Sequence, residues 1–92
     1  MNRQKVWGAI EAILFSAGDS IELSRIAKAV ELEKEETKKV IQEMMNSYER
    51  EDRGIKIIEL EQSYQLCSKK EYYECLIRLA MHPKNRNIMI IW

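Results

Sequence analysis

Apolar residues recur every three to four positions along three stretches in the first half of the chain. This spacing predicts helices over residues 3–17, about 23–30 and about 34–50. The first helix is expected to end at Gly18, because glycine tolerates the left-handed conformation that closes many helices. The inward positions of the three helices are Val6, Ile10, Ile13, Leu14 and Ala17; Leu23, Ile26, Ala27 and Val30; and Thr37, Val40, Ile41, Met44, Met45 and Tyr48.

The break between the second and third helices, at residues 31–33, is short. Two helices joined so closely are typical of a helix-turn-helix, whose second helix often enters the major groove of DNA. The pattern therefore predicts either a DNA-binding domain or the same scaffold in another role.

After Gly54 the period of the apolar positions changes from 3.6 to 2. The segments "IKIIELE" (55–61) and "YQLCSK" (64–69) are rich in branched and aromatic residues, which predicts a β-hairpin. Its loop has either two residues, at 62–63, or three, at 61–63.

The hydrophobic pattern selects between these two registers. The shorter loop would place Ile58 opposite Cys67. The longer loop places Ile58 opposite Leu66, and it places Leu60 opposite Tyr64. We prefer the longer loop because it makes one face strongly apolar, although it lacks the glycine that such turns often need. This register turns one set of side chains to the core (Ile58, Leu60, Tyr64 and Leu66) and another set to the opposite face (Ile55, Ile57 and Cys67).

A fourth helix is predicted over residues 70–82, and Pro83 ends it. The fold class is therefore α+β, mostly α: a winged helix of three helices, a two-stranded β-hairpin wing and an additional C-terminal helix. Residues 1–84 form this domain. Residues 85–92 are a tail, either the start of a missing second domain or a truncated end.

Charge argues against a dedicated nucleic-acid-binding domain. Among 92 residues, 15 Lys and Arg balance 15 Asp and Glu. DNA-binding domains usually carry a basic excess, because neutralised phosphates supply much of their affinity. The predicted third helix also begins with Glu33, Glu35 and Glu36, at the end that would enter the groove. The sequence therefore predicts weak or no direct DNA binding.

The residue types needed for catalysis or metal binding are not grouped in this sequence. His82 is the single histidine, and Cys67 and Cys75 have no companion ligand nearby, so we expect no catalytic residue, metal or cofactor. The three glycines are scattered and make no phosphate loop. Apolar runs fall short of the roughly 18 residues of a membrane span, and the cysteines are expected to be reduced, which predicts a cytoplasmic protein.

Apolar residues outside the predicted core are candidates for partner binding. Ile55, Ile57 and Cys67 would form an apolar outer face on the wing, which suggests a partner surface unless the first or fourth helix covers it. Trp7 lies at the edge of the apolar arc of the first helix and Phe15 outside it. Aromatic residues are favoured at interface centres, and the alternative is additional packing within the domain.

The order of several short motifs carries a family resemblance. The segment "AIEAILFSAGDSIELSRIAKAVEL", a following helix, "RGIKIIELEQSYQLCSKKEYYECLIRL" and "PK" together resemble the amino-terminal half of segregation and condensation protein B, ScpB. The likeness covers residues 7–84. Ser20 stands where this family often has proline, and Gln62 and Ser63 stand where glycines are common in the wing loop.

The resemblance implies a non-catalytic adaptor. Proteins of this family join the kleisin subunit ScpA and an SMC ATPase in the bacterial condensin-like complex, which organises and segregates chromosomes at the nucleoid. They have two winged-helix domains, of which the amino-terminal one forms a homodimer. The alternative is a winged-helix DNA-binding transcription regulator, and a third possibility is an interaction module of the same fold outside the chromosome.

Overall fold

Four α-helices, three strands and one 3₁₀ turn make up the domain in the computed structural model, which describes residues 2–81. The helices are α1 (Arg3–Ala17), α2 (Leu23–Val30), α3 (Lys34–Ser47) and α4 (Tyr73–Ala80), with the 3₁₀ turn (Lys70–Tyr72) directly before α4. The strands are β1 (Ile21–Glu22), β2 (Ile55–Leu60) and β3 (Ser63–Ser68). The predicted winged helix is confirmed, with one strand more than the sequence indicated.

The predicted bounds of α1 and α2 are confirmed, and their ends show why. The Asn2 side chain accepts a hydrogen bond from Lys5 N at 2.9 Å, which caps α1. Gly18 ends the same helix in the left-handed region with φ 65°. At the end of α2, Glu31 has φ 59°, and Leu32 N donates to Ala27 O at 3.0 Å, which is the Schellman pattern.

The third helix ends earlier than the sequence predicted. α3 stops at Ser47 rather than near Arg50, and Tyr48 follows as its C-cap with ψ −4°. The Ser47 hydroxyl donates to Met44 O at 2.8 Å, a local bond that Ser often makes near helix ends. Tyr48 still points inward and is buried, so the apolar stripe of α3 extends one residue beyond the helix itself.

The core lies between the three N-terminal helices and one face of the sheet. Thr37 is fully buried within it, and its hydroxyl donates to Glu33 O at 2.9 Å, so no polar group is left unsatisfied there. Ala17, predicted inward, is exposed. The buried apolar residues of the core are Val6, Ile10, Leu14, Ile26, Ala27, Val30, Val40, Ile41, Met44, Tyr48, Ile57 and Tyr64.

The sheet has the strand order β1-β3-β2, and both pairings are antiparallel. β1 was not predicted, because two residues are too few for an alternating pattern to appear in the sequence. It pairs Ile21 with Tyr64, and Leu23 N donates to Gln62 O at 2.8 Å just beyond it. This pairing ties the start of α2 to the tip of the wing.

The register of the wing differs from the prediction by one residue. Leu60 lies opposite Ser63, so the loop has two residues, Glu61 and Gln62, and the predicted three-residue loop is wrong. Both loop residues have positive φ, 43° and 64°, which is the backbone of a type I′ turn made without glycine. Two residues thus occupy a region that side chains disfavour, and the core packing of the hairpin holds them there.

A one-residue slip moves every side chain of a strand to the other face. Ile57 is therefore in the core, 4% exposed, and lies opposite Leu66. Ile58 and Leu60, predicted inward, lie instead on the outer face with Cys67, because they alternate with Ile57 along β2.

The last described helix stands apart from this core. None of the residues of α4 is buried, and its helical start is three residues later than predicted because residues 70–72 form the 3₁₀ turn. Lys69 Nζ donates to Arg50 O at 2.8 Å, and the Tyr72 hydroxyl donates to Glu51 O. These two hydrogen bonds hold the chain in place just before α4. Pro83 and the predicted tail, 85–92, lie outside the described residues.

The register predicts that truncating Ile57 destabilises the domain much more than truncating the adjacent Ile58. Ile57→Ala should lower the free energy of unfolding by about 2–4 kcal/mol, because it leaves a cavity in the core. Ile58→Ala, at the outer face, should cost less than about 1 kcal/mol. Denaturant unfolding followed by circular dichroism measures both variants. Equal losses, or the larger loss at Ile58, would contradict the register.

The turn predicts a stabilising double substitution. Replacing Glu61 by Asn and Gln62 by Gly should raise the free energy of unfolding by about 1–2 kcal/mol, since these residues suit positive φ. Ser63→Gly is the control, because Ser63 lies in a strand, where glycine weakens pairing by about 0.5–1 kcal/mol. Thermal unfolding separates the two variants, and destabilisation by the double variant would show that the turn has another geometry.

Candidate protein interaction surfaces

The two aromatic candidates on α1 have different environments. Phe15 is 77% exposed, so the sequence placed it correctly outside the apolar arc. Trp7 is half-buried and packs against the core cluster, while one side of it lines a shallow surface groove with Arg3 and Gln4. Phe15 is thus a free apolar side chain of α1, whereas Trp7 belongs partly to the domain's own packing.

The three wing candidates do not share one face. Ile57 is in the core, and Ile55 lies on the same side of β2 at the start of the strand, 36% exposed. Cys67 lies on the outer face, so the predicted grouping of these three residues is wrong because it followed the slipped register. The outer face carries Ile58, Leu60 and Cys67 instead, with Leu60 47% exposed. Burial raises the pKa of the Cys67 thiol, which keeps it protonated.

α4 and the residue after it present a group of exposed apolar side chains outside the core. Its polar side carries Glu74 and Arg78, whose charged groups lie 3.9 Å apart. At 100° per residue its apolar residues cover the rest of the circumference. Ile77 and Leu79 are 41% and 42% exposed, and Met81, directly after the helix, is 76% exposed.

A helix this short gains little stability by itself. Isolated helices below about 12–15 residues are marginal in water, and most helices in proteins are stabilised by packing of an apolar side. Among residues 2–81, the core cluster and the side chains packed against it contain no residue of α4. Its exposed apolar side chains are therefore a candidate surface for another polypeptide segment.

The helix-turn-helix end that would meet DNA is acidic. Glu33 is the N-cap of α3 and Glu35 and Glu36 lie in its first turn, all three exposed. They complement the positive end of the helix dipole, which stabilises α3. The same carboxylates would lie unfavourably against phosphates at the position where recognition helices approach the groove.

Polar contacts in the body of the domain join helices rather than form a reaction centre. Arg3 Nε donates to Glu43 Oε1 at 3.0 Å and links α1 to α3. The Tyr48 hydroxyl donates to Glu11 across the same pair of helices, and burial together with this carboxylate raises the pKa of Tyr48 to about 12. Within residues 2–81 no group of three or more His, Cys, Asp or Glu side chains could hold a metal ion. No helix in that range is long and apolar enough to cross a membrane.

Comparison with known families agrees with the fold. The family model described as "Segregation and condensation complex subunit ScpB" matches residues 8–89. The chain belongs to the ScpB family. The resemblance carried by the sequence motifs is thereby confirmed.

Two relatives, both named segregation and condensation protein B, show the extent of the similarity. The protein of Agathobacter rectalis is 51% identical over 79 residues, which are 85% of this chain and 42% of that protein. The protein of Lachnoclostridium phytofermentans is 44% identical over 84 residues, 91% of this chain and 44% of that protein. The chain therefore spans less than half the length of these ScpB relatives.

Two solved structures share the fold. One is the crystal structure of a dimer of an ScpB N-terminal domain complexed with an ScpA peptide; it is 39% identical, with a TM-score of 0.79, and the match covers 83% of this chain and 95% of that one. The other is ScpB from Mycobacterium tuberculosis, 13% identical, with a TM-score of 0.84 over 97% of this chain and 56% of that one. The second shows the ScpB fold alone, whereas the first also places this chain at the N-terminal domain.

Sequence reasoning missed two parts of the apolar surface. Ile58 and Leu60 were assigned to the core, because the apolar pattern of β2 contains isoleucine at three of its first four positions and suits either face. The surface of α4 was missed because the sequence spreads its apolar residues over two faces, and this pattern does not show whether a neighbour lies beside them. The absence of glycine could not select the register, because the observed turn at Glu61 and Gln62 lacks glycine too.

Proposed function

We propose that the chain is the amino-terminal domain of a non-catalytic adaptor in a bacterial SMC–kleisin complex that acts in chromosome condensation and segregation. Its partners would be a second copy of itself, the kleisin ScpA and, through ScpA, an SMC ATPase. This role would place it in the cytoplasm at the nucleoid.

One observation carries the proposal. The similar structure with 39% identity is a dimer of an ScpB N-terminal domain bound to an ScpA peptide, and the match spans nearly all of that domain. The exposed apolar residues of this chain supply what such assembly requires, because buried apolar area drives most protein association. Balanced charge is compatible with the same role, since no phosphate backbone has to be neutralised.

We assign the second copy to α4. In a two-fold dimer the same surface meets itself, so one apolar helix on each copy suffices to cover both. The exposed side chains of Ile77, Leu79 and Met81 would be buried, while the Glu74 and Arg78 stripe would stay in water.

Further contacts with partners are proposed for residues on α1 and the wing. Phe15 is free to bind, and Cys67 contributes to the outer wing face together with Ile58. Ile55 and the accessible side of Trp7 are secondary contacts. The sequence suggested Ile57 for this role. Because the Ile57 side chain lies in the core, we propose Ile58 as the contact instead.

The dimer surface predicts a monomeric variant. Leu79→Glu should give a folded monomer, because a carboxylate would be buried without a partner in the dimer, whereas in the monomer it lies in solvent. Cys75→Glu is the matched control, since it adds the same charge beside Arg78, whose guanidinium donates to the Cys75 sulfur and would pair with the new carboxylate. Light scattering combined with circular dichroism measures mass and folding. A dimeric Leu79→Glu variant would exclude α4 as the surface.

The adaptor role also predicts weak DNA binding. Fluorescence anisotropy with duplex DNA at physiological salt should show no specific binding in the nanomolar range, because α3 presents Glu33, Glu35 and Glu36 at the groove-facing end. Specific nanomolar affinity that falls steeply with salt would instead support a winged-helix transcription regulator. Reversal of these three charges to Lys should increase the non-specific affinity, which serves as a positive control for the assay.

A further inference from the structure

The hairpin register determines which backbone groups of β2 face its neighbour. Among the strands of residues 2–81, β3 lies between β1 and β2, so β2 is an edge of the sheet that these residues form. The two-residue turn makes Leu60 and Ser63 a hydrogen-bonded pair, and such pairs alternate along antiparallel strands. Lys69 N donates to Gly54 O at 2.8 Å, which continues the same series at the other end of the hairpin. The even-numbered residues of β2 are therefore those bonded to β3.

The odd-numbered residues direct their backbone groups away from the sheet. The N–H and C=O of Ile55, Ile57 and Glu59 lie along the open edge, and no backbone bond outside the helices and strands of residues 2–81 reaches them. Three donors and three acceptors at regular spacing are a template for one more strand. β1, at the opposite edge, has two residues and offers a much shorter template.

A groove at the start of β2 adds a place for side chains. It lies between the end of α3, β2 and the segment after β3, and its floor is made by Met45, Tyr48 and Ile57. Lys70 and Glu71 lie at its rim. Because side chains alternate across a strand, every second side chain of an added strand would lie on the same face of the sheet as Ile57, and one near the start of β2 could reach this groove.

We propose that β2 binds an extended segment of the ScpA kleisin by β-strand addition, with apolar side chains of that segment in the groove. This inference rests on the proposed function and specifies how the partner is held. Three lysines and two glutamates line the groove (Lys56, Lys69, Lys70, Glu49 and Glu71). The excess of positive charge favours an acidic residue in the bound segment.

A second copy of β2 fits the edge less well than a peptide does. The side chains that a second β2 would turn toward the groove are those on its core face. Ile57 among them is already buried in its own domain, 4% exposed, and cannot enter the groove of a neighbour. The side chains of a flexible segment are not buried in a domain of their own, so the segment can supply both the backbone hydrogen bonds and the apolar side chains.

Amide hydrogen exchange measured by NMR tests the mode of binding. The probe is the ScpA peptide present in the solved ScpB N-terminal domain complex, added to the ¹⁵N-labelled chain. Before addition, the amides of Ile55, Ile57 and Glu59 should exchange faster than those of Lys56 and Ile58. After addition, the three odd-numbered amides should become protected, because each now donates to the peptide.

A proline variant tests the same bonds by affinity. Ile55→Pro removes one outward N–H at the first residue of an edge strand, a position that tolerates proline, and should weaken peptide binding about fivefold. Ile55→Val keeps the N–H and trims only the side chain, so as the matched control it should weaken binding less than the proline variant does. If the proline variant loses its fold, the exchange experiment on the unchanged chain still decides.

The outcomes separate this inference from the proposed function. Peptide binding with protection confined to α1 or α4 would overturn strand addition at β2 and leave the adaptor role intact. A chain that neither binds the peptide nor forms dimers would overturn both. Alternating protection along β2 supports both.

Discussion

The packing of the β-hairpin on the three N-terminal helices is the constraint on which the rest of the domain depends. Tyr64 is the largest fully buried side chain, and it lies in β3, the strand that bonds to both neighbours. Its hydroxyl lies 3.4 Å from Glu59 Oε2, and burial, with a smaller effect from this carboxylate, raises the pKa of Tyr64. With Tyr64 and Ile57 turned inward, alternation along the strands excludes the register of the three-residue loop and agrees with the observed one, in which Leu60 lies opposite Ser63.

That register determines the surfaces available to partners. It turns Ile58 and Leu60 outward, exposes the backbone of the odd-numbered residues of β2, and requires positive φ at Glu61 and Gln62. The turn is therefore strained, and the free energy gained by packing the hairpin on the core exceeds the cost of that strain. α2 and α3 have helix-turn-helix geometry, which positions residues in the core. The acidic start of α3 faces solvent.

Features governed by local pattern were predictable from the sequence, whereas those governed by neighbours were not. The bounds of α1 and α2 follow from apolar spacing, from Gly18 and from the short break before α3. The register of the wing depends on a choice between two apolar faces that only the helices beneath it decide. Whether α4 is exposed depends on which residues lie beside it in the fold, and the sequence of α4 alone does not show which residues those are. The free edge of β2 was implicit in the predicted two-stranded wing, whereas the pairing of β3 with the short strand β1 was not.

The central claim is that α4 is stable because a second copy covers it. Hydrogen exchange of the α4 amides, measured over a range of protein concentrations, tests this most directly. We predict that the amides of Ile77, Leu79 and Ala80 are protected at concentrations where the chain is dimeric and lose that protection on dilution to monomer, while the protection of α1–α3 stays constant. Protection of α4 that is independent of concentration, or absent at every concentration, would contradict the account.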